Sequence, residues 1–204
     1  AEIRLNRILN TLKANNLPTP FFFVLQTGTK VKELRNVGSF ASHLPVQGML
    51  SAAFQIPEIL KICKKVGVQL KEHNADYLPV ESLRWHRRFG IGAANVAPEF
   101  GVSETSALLS AAKKFNKSWF VDLFSEEVLS GNKWEKWLVD GSSASDEEKV
   151  KIAGHYHFSS PLIIEAVKKL GGELVSHSFD LDNYLRANIR ESLLRYLSIF
   201  GYCC

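Results

Sequence analysis

The stretch VGVQLKEHNADYLPVESLRWHRRFGIGAANVAPEFG, residues 66–101, decides how the fold is read. It holds two short apolar runs, 68–70 and 89–94, and each gives way to a polar cluster. The first cluster is Glu72-His73-Asn74-Ala75-Asp76-Tyr77; the second is Asn95-Val96-Ala97-Pro98-Glu99. Between them, residues 81–88 are patterned as a helix. Strand, polar tip, helix, strand, polar tip is the order of consecutive βα units in a parallel sheet. In such sheets, and above all in TIM barrels, ligands meet the carboxyl ends of the strands. These two tips are therefore the candidate site.

Working outward, Ile3, Leu5, Ile8, Leu9 and Leu12 recur at helical spacing, which predicts a helix over 2–15, stopped by Asn15-Asn16-Leu17-Pro18. Residues 21–25 form a continuous apolar run, the pattern of a strand buried on both faces. It ends in a third polar tip, Gln26-Thr27-Gly28-Thr29, where Gly28 lets the backbone turn or approach a ligand closely. A helical region over 47–65 contains Pro57 and is closed by Gly67. Three parallel strands are thus expected near 21–26, 67–72 and 90–95, adjacent and in that order.

Beyond Gly101 no further strand is expected. Ser103 is placed to cap a helix with Leu108, Leu109 and Ala112 on its inner stripe. Helical segments follow at 118–130, 134–139, 159–170 and 181–200, and Asp146-Glu147-Glu148 supplies the acidic first turn of another. The fold class expected is α/β: the carboxyl-terminal part of a (β/α)8 TIM barrel over 1–117, followed by an all-helical extension over 118–204. A closed barrel takes about 250 residues and eight strands. The chain is accordingly read as part of one, with Val24, Leu70 and Ile91 packing incompletely.

Composition bounds the function. The hydrophobic share of 46% and charged share of 23% are ordinary for a globular protein. The net charge of +4 is scattered, with no basic stripe of the kind nucleic acid requires. No apolar run approaches the ~20 residues that span a bilayer, and the first residues form an amphipathic helix rather than a signal peptide. Cys63, Cys203 and Cys204 make no disulfide framework, which places the protein in a reducing cytoplasm.

The cluster 71–77 concentrates a cation, two carboxylates, an imidazole and a carboxamide. A sugar-phosphate site needs such groups: acids or imidazole to move protons, amides for hydroxyls, positive charge or N–H groups for phosphate. On this reading His73, Glu72 and Asp76 are the catalytic candidates, and Gln26, Thr27, Asn74, Asn95 and Glu99 bind substrate. The competing reading is a solvated loop with a helix cap. His155 and His157 cannot face one metal ion from a single helix, and their aromatic neighbours point to packing. No phosphate loop, GxSxG, CxxC or HExxH motif occurs, which argues against a P-loop kinase.

The segments EHNADYLP, RWHRRFGIGAANVAPEFGVSET and AGHYHFSSP, in that order, resemble the carboxyl half of the tagatose-bisphosphate aldolase non-catalytic subunit family, earlier labelled tagatose-6-phosphate kinases. His73, Asp76 and Tyr77 match the family's H-x-x-D-Y, and Val96 with Pro98 match its next strand end. The resemblance implies a TIM barrel related to class II aldolases, a cytoplasmic location, and an accessory role beside a catalytic aldolase subunit in carbohydrate catabolism. The ligand implied is a phosphorylated ketose. Better-known members carry an acid where this chain has Lys71; Glu72 is displaced by one, which on a strand turns it to the other face. A different class of function stays open: a metal-dependent sugar-phosphate lyase or epimerase in its own right. No cofactor is assigned; a divalent metal enters only with the strands of an intact barrel. Homo-oligomerisation is left open.

Overall fold

The computed structural model describes residues 2–25, 28–40 and 52–202. The chain divides into two compact units: a sheet unit, residues 1–31 and 35–96, and a helical unit, residues 32–34 and 97–204.

The sheet unit opens with helix α1 (Glu2–Ala14), followed by strand β1 (Phe22–Leu25) and two two-residue strands, β2 (Val31–Lys32) and β3 (Arg35–Asn36). Then come α2 (Ala52–Lys65), β4 (Gln69–Glu72), α3 (Val80–Phe89) and β5 (Ala93–Ala94). The main sheet has the order β1-β4-β5, and both pairings are parallel, as the periodicity predicted. Its register sets Phe22 opposite Gln69, Val24 opposite Lys71, and Lys71 opposite Ala93.

Alternation along these strands gives the sheet two unlike faces. Phe23 and Leu70 lie on the face covered by α1 and α2, packed with Leu5, Ile59, Cys63 and Val68. On the other face Phe22 and Val24 are 41% and 50% exposed. The expectation that 21–25 is buried on both faces is therefore corrected: β1 is an edge strand with a single packed face. Val24 packs incompletely, as expected, and Ile91 is half-buried. Leu70, in the central strand, is wholly buried. Phe89, read as the start of an apolar run, closes α3 instead.

The chain ends each helix of this unit with a left-handed residue. Gly90 (φ 78°) terminates α3, and the next amide, Ile91 N–H, reaches back to His86 O at 3.0 Å. This double turn aims β5 alongside β4. Gly67 (φ 75°) does the same between α2 and β4.

The helical unit comprises α4 (Pro98–Lys114), α5 (Ser118–Ser130), a 3-10 turn (Glu135–Trp137), α6 (Asp146–Ala153), a second 3-10 turn (Gly154–His157), α7 (Pro161–Val175) and α8 (Leu181–Phe200). Its core is aromatic and aliphatic: Phe120, Phe124, Val128, Leu108, Ile163 and Leu170 are all buried together. Ser145 and Glu148 form a reciprocal capping box at the start of α6. Compact packing divides the chain at 96/97, and α4 buries Leu108, Ala111 and Ala112 in this aromatic core. Ser103 caps nothing: it lies within α4, whose first turn carries Pro98.

The two histidines of the HYH segment sit on the 3-10 turn and pack separately. A Cβ at Gly101 would fall 2.5 Å from the His155 ring, and one at Gly131 would fall 2.4 Å from that of His157. Each ring occupies space that only glycine leaves open.

His86 in α3 is buried edge-on against Phe40, with ring centroids 4.7 Å apart. Burial disfavours its charged form and lowers its pKa from the usual 6.5 to about 4. Between those values the unfolded chain binds the proton and the folded one does not. Stability is therefore undiminished above pH 6.5 and falls as pH drops toward 4. The loss amounts to about 3 kcal/mol at roughly 1.4 kcal/mol per pH unit. Denaturant titrations across this range should show that decline, and His86→Gln should flatten it.

Candidate functional site

β4 ends at Glu72, and the pleat sorts the polar cluster that follows. Glu72 has the parity of Leu70 and so faces the helix-covered side of the sheet, where it is fully buried. Lys71 has the parity of Val24 and Ala93 and lies on the opposite face. His73, two residues on, is exposed. Its Nδ1 lies 3.4 Å from the Asn95 carboxamide Nδ2. The meeting follows from the ladder: Asn95 N–H donates to Glu72 O at 2.9 Å, and Ala75 N–H to Asn95 O at 2.9 Å. These bonds extend the β4–β5 pairing past the assigned strands and place the two tips side by side.

The acids are held otherwise. The Thr29 hydroxyl lies 2.6 Å from Glu72 Oε1 and also bonds the His73 carbonyl. Thr29 reaches this position through a close crossing of two segments: a Cβ at Gly38 would fall 2.0 Å from Gly28 O and 2.6 Å from Thr29 Cα. Phe40 N–H then donates to Gly28 O at 3.0 Å. Gly28 itself has φ 96°, in keeping with the turn its sequence suggested. Asp76 is also buried.

Asn36 sets the loop between Glu72 and α3. Its Nδ2 donates to Asn74 O and to Asp76 O, both at 2.9 Å. Its Oδ1 accepts from Lys30 N–H and Gly38 N–H, both at 3.2 Å. One carboxamide thus uses two donors and two acceptor positions to tie three segments together. The loop it holds is strained: Asn74 (φ 61°) and Tyr77 (φ 57°) are both left-handed. For an aromatic residue that conformation costs on the order of 1–2 kcal/mol, and such strain gathers where a loop serves binding or catalysis.

Of the residues singled out in the sequence, the sheet unit therefore gathers Glu72, His73, Asn74, Asp76 and Asn95 at one end of β4 and β5. Among them, the side chains of His73 and Asn95 meet in a polar contact. Glu72, a catalytic candidate in the sequence, is buried on the face of β4 that carries Leu70, with the Thr29 hydroxyl 2.6 Å from its Oε1. Glu99 belongs to the helical unit, on the first turn of α4, where its carboxylate pairs with Arg195 at 2.9 Å and accepts from the Tyr196 hydroxyl. Burial, and after it that carboxylate, push the Tyr196 hydroxyl well above its usual pKa. Gln26, Thr27, Cys203 and Cys204 lie outside the described residues. Thr29 and Asn36 escaped the sequence reading as anchors. The only signal for Asn36 was a lone carboxamide near Gly38, in a segment with no clear period.

Among the described residues no three His, Cys, Asp or Glu side chains gather as metal ligands. Glu72 is buried and engaged by the Thr29 hydroxyl, whereas His73 is exposed. Among the same residues, no helix is long and apolar enough to cross a membrane.

Neither a protein-family model nor a curated protein matches the sequence. Solved structures do resemble the fold. A probable tagatose 6-phosphate kinase from Sinorhizobium meliloti 1021 superposes with a TM-score of 0.71 at 12% identity, over 98% of this chain and 59% of its own. A fructuronate-tagaturonate epimerase from Cohnella laeviribosi, solved with glycerol, gives 0.51 at 14% identity, over 98% of this chain and 43% of its own. At such identities the likeness is one of fold. This chain spans about half the length of each.

Thr29→Val should test the anchoring role of the Glu72–Thr29 pair. It keeps the shape and removes the hydroxyl from a buried carboxyl group, which costs about 1–3 kcal/mol. A thermal melt should show that loss, and a variant as stable as the parent would count against the role.

Proposed function

We propose that this chain is the carboxyl-terminal part of a (β/α)8 barrel and serves as an accessory, non-catalytic subunit of a class II ketose-bisphosphate aldolase of the tagatose-bisphosphate type. It binds a phosphorylated ketose or stabilises the catalytic subunit, in cytoplasmic carbohydrate catabolism. The observation that carries this reading is the division of the β4 tip. Its acids, Glu72 and Asp76, are buried, while the imidazole and carboxamide of His73 and Asn95 stand together at the strand ends. Such a tip has groups that bind hydroxyls but no exposed carboxylate of its own to move a proton.

The barrel assignment draws on two further facts. The parallel order β1-β4-β5 is that of sequential βα units, and β1 leaves Phe22 and Val24 exposed on the face that a barrel would fill with side chains. The fold likeness to a probable tagatose 6-phosphate kinase, of which this chain spans 59%, agrees with it.

A lyase or epimerase acting by itself is the second reading. It is favoured by the exposed His73 imidazole, an available proton carrier, and by the fold likeness to a uronate epimerase. The two readings separate on activity. With D-tagatose 6-phosphate in a calorimetric titration, binding should be measurable and His73→Ala should weaken it by about tenfold, with the fold intact. With tagatose 1,6-bisphosphate the chain alone should cleave nothing, and co-purification with a class II aldolase should raise that enzyme's stability. Cleavage or epimerisation by the chain alone would decide for the second reading.

A further inference from the structure

Lys71 occupies a position that the site as described leaves unused. It is the penultimate residue of the central strand, and the register places Val24 beside it on one flank and Ala93 on the other. Neither neighbour can neutralise an ammonium group. No hydrogen bond or ion pair joins the Lys71 side chain to another described residue, although Lys71 is only half-exposed. The acids nearest in sequence do not turn toward it: Glu72 is on the far face, bound to Thr29, and Asp76 is buried.

The same face carries the next residues in both strands. His73 follows Lys71 by two positions, about 6.6 Å along the strand direction, and Asn95 follows Ala93 by the same step. The contact between His73 and Asn95 confirms that the two tips run on together. A cation, an imidazole and a carboxamide therefore line one face, with the cation set deeper in the sheet and flanked by apolar side chains. A partly desolvated ammonium without a counterion is a favourable place for an anion, since each partner relieves the other's desolvation.

We infer that Lys71 holds the anionic end of the ligand, a phosphate or carboxylate, while His73 and Asn95 bind its hydroxyls. This rests on the sugar-binding reading above and assigns the charge recognition within it. Phosphate esters and sugar acids present the same negative oxygens to an ammonium, so both are accommodated by the geometry. The binding is non-covalent, and no bond is made or broken.

The test is calorimetric titration of the chain with D-tagatose 6-phosphate, D-tagaturonate and neutral D-tagatose. The two anionic sugars should bind about tenfold or more tightly than the neutral one. Lys71→Gln should erase that preference without weakening D-tagatose, and Lys71→Arg should retain it. His73→Ala should weaken all ligands alike. Which anionic sugar binds better separates phosphate from carboxylate. Should Lys71→Gln fail to fold, the parent protein still answers: the Lys71 Nζ resonance, in a chain with labelled lysine, should shift on adding inorganic phosphate. Unchanged anion preference in Lys71→Gln, or an unmoved Nζ resonance, overturns the assignment while leaving sugar binding intact. Failure of the parent to bind any of the three sugars overturns the sugar-binding reading, and this inference with it.

Discussion

Everything proposed about the site depends on the two-residue period of β4. Its register with β1 is pinned by burial: Leu70 must join Phe23, Ile59 and Cys63 beneath the helices, because sliding the strand by one residue would expose it and bury Lys71. Once Leu70 is inside, Glu72 is inside as well, and Lys71 is on the other face. The hydrophobic effect acting on a leucine thus determines which charged groups lie on each face of the sheet. A full burial of that size is worth about 2 kcal/mol or more, enough to hold the register against the cost of a buried carboxyl group that has a hydrogen-bond partner.

That partner comes from far along the chain, and its arrival needs two glycines. Gly38 permits the backbone to cross Gly28 and Thr29 at a distance that any side chain would forbid. Gly28 takes the left-handed conformation that turns the chain after β1. Thr29 then meets Glu72, and Asn36 meets the carbonyls of Asn74 and Asp76. The strained loop between β4 and α3 is held from outside by these bonds rather than by its own preferences. The loop thereby keeps a fixed shape at some cost in stability.

The helical unit is organised by a different constraint. Stacked Phe120 and Phe124, with ring centroids 5.7 Å apart, form a centre around which α4, α6 and α7 supply small and aliphatic residues. Gly101, Gly131 and Gly154 let ring and methyl groups of His155, His157 and Thr105 approach where a Cβ would collide. The HYH segment is thereby accounted for as packing. Glu99, attractive in the sequence as an acid at a strand tip, is engaged by Arg195 and Tyr196 of α8. Its partners stand almost a hundred residues later, beyond the reach of any local pattern.

Local chemistry alone determined much of this protein. Apolar runs marked the three strands and their order, and period and capping residues marked α1, α5, α6 and α8 closely. Gly67 marked the end of α2. These features depend on neighbours within a turn or a strand, so sequence carries them directly. The face each polar residue occupies did not emerge in the same way. A run such as Lys71-Glu72-His73 alternates sides whichever register it adopts, and only the packing of Leu70 against α1 and α2 selects one. The edge position of β1, the anchoring of Glu72 by Thr29 and the clamp made by Asn36 likewise arise between segments distant in the chain. Tertiary structure decided them, because long-range burial and hydrogen-bond satisfaction choose among local alternatives of nearly equal energy.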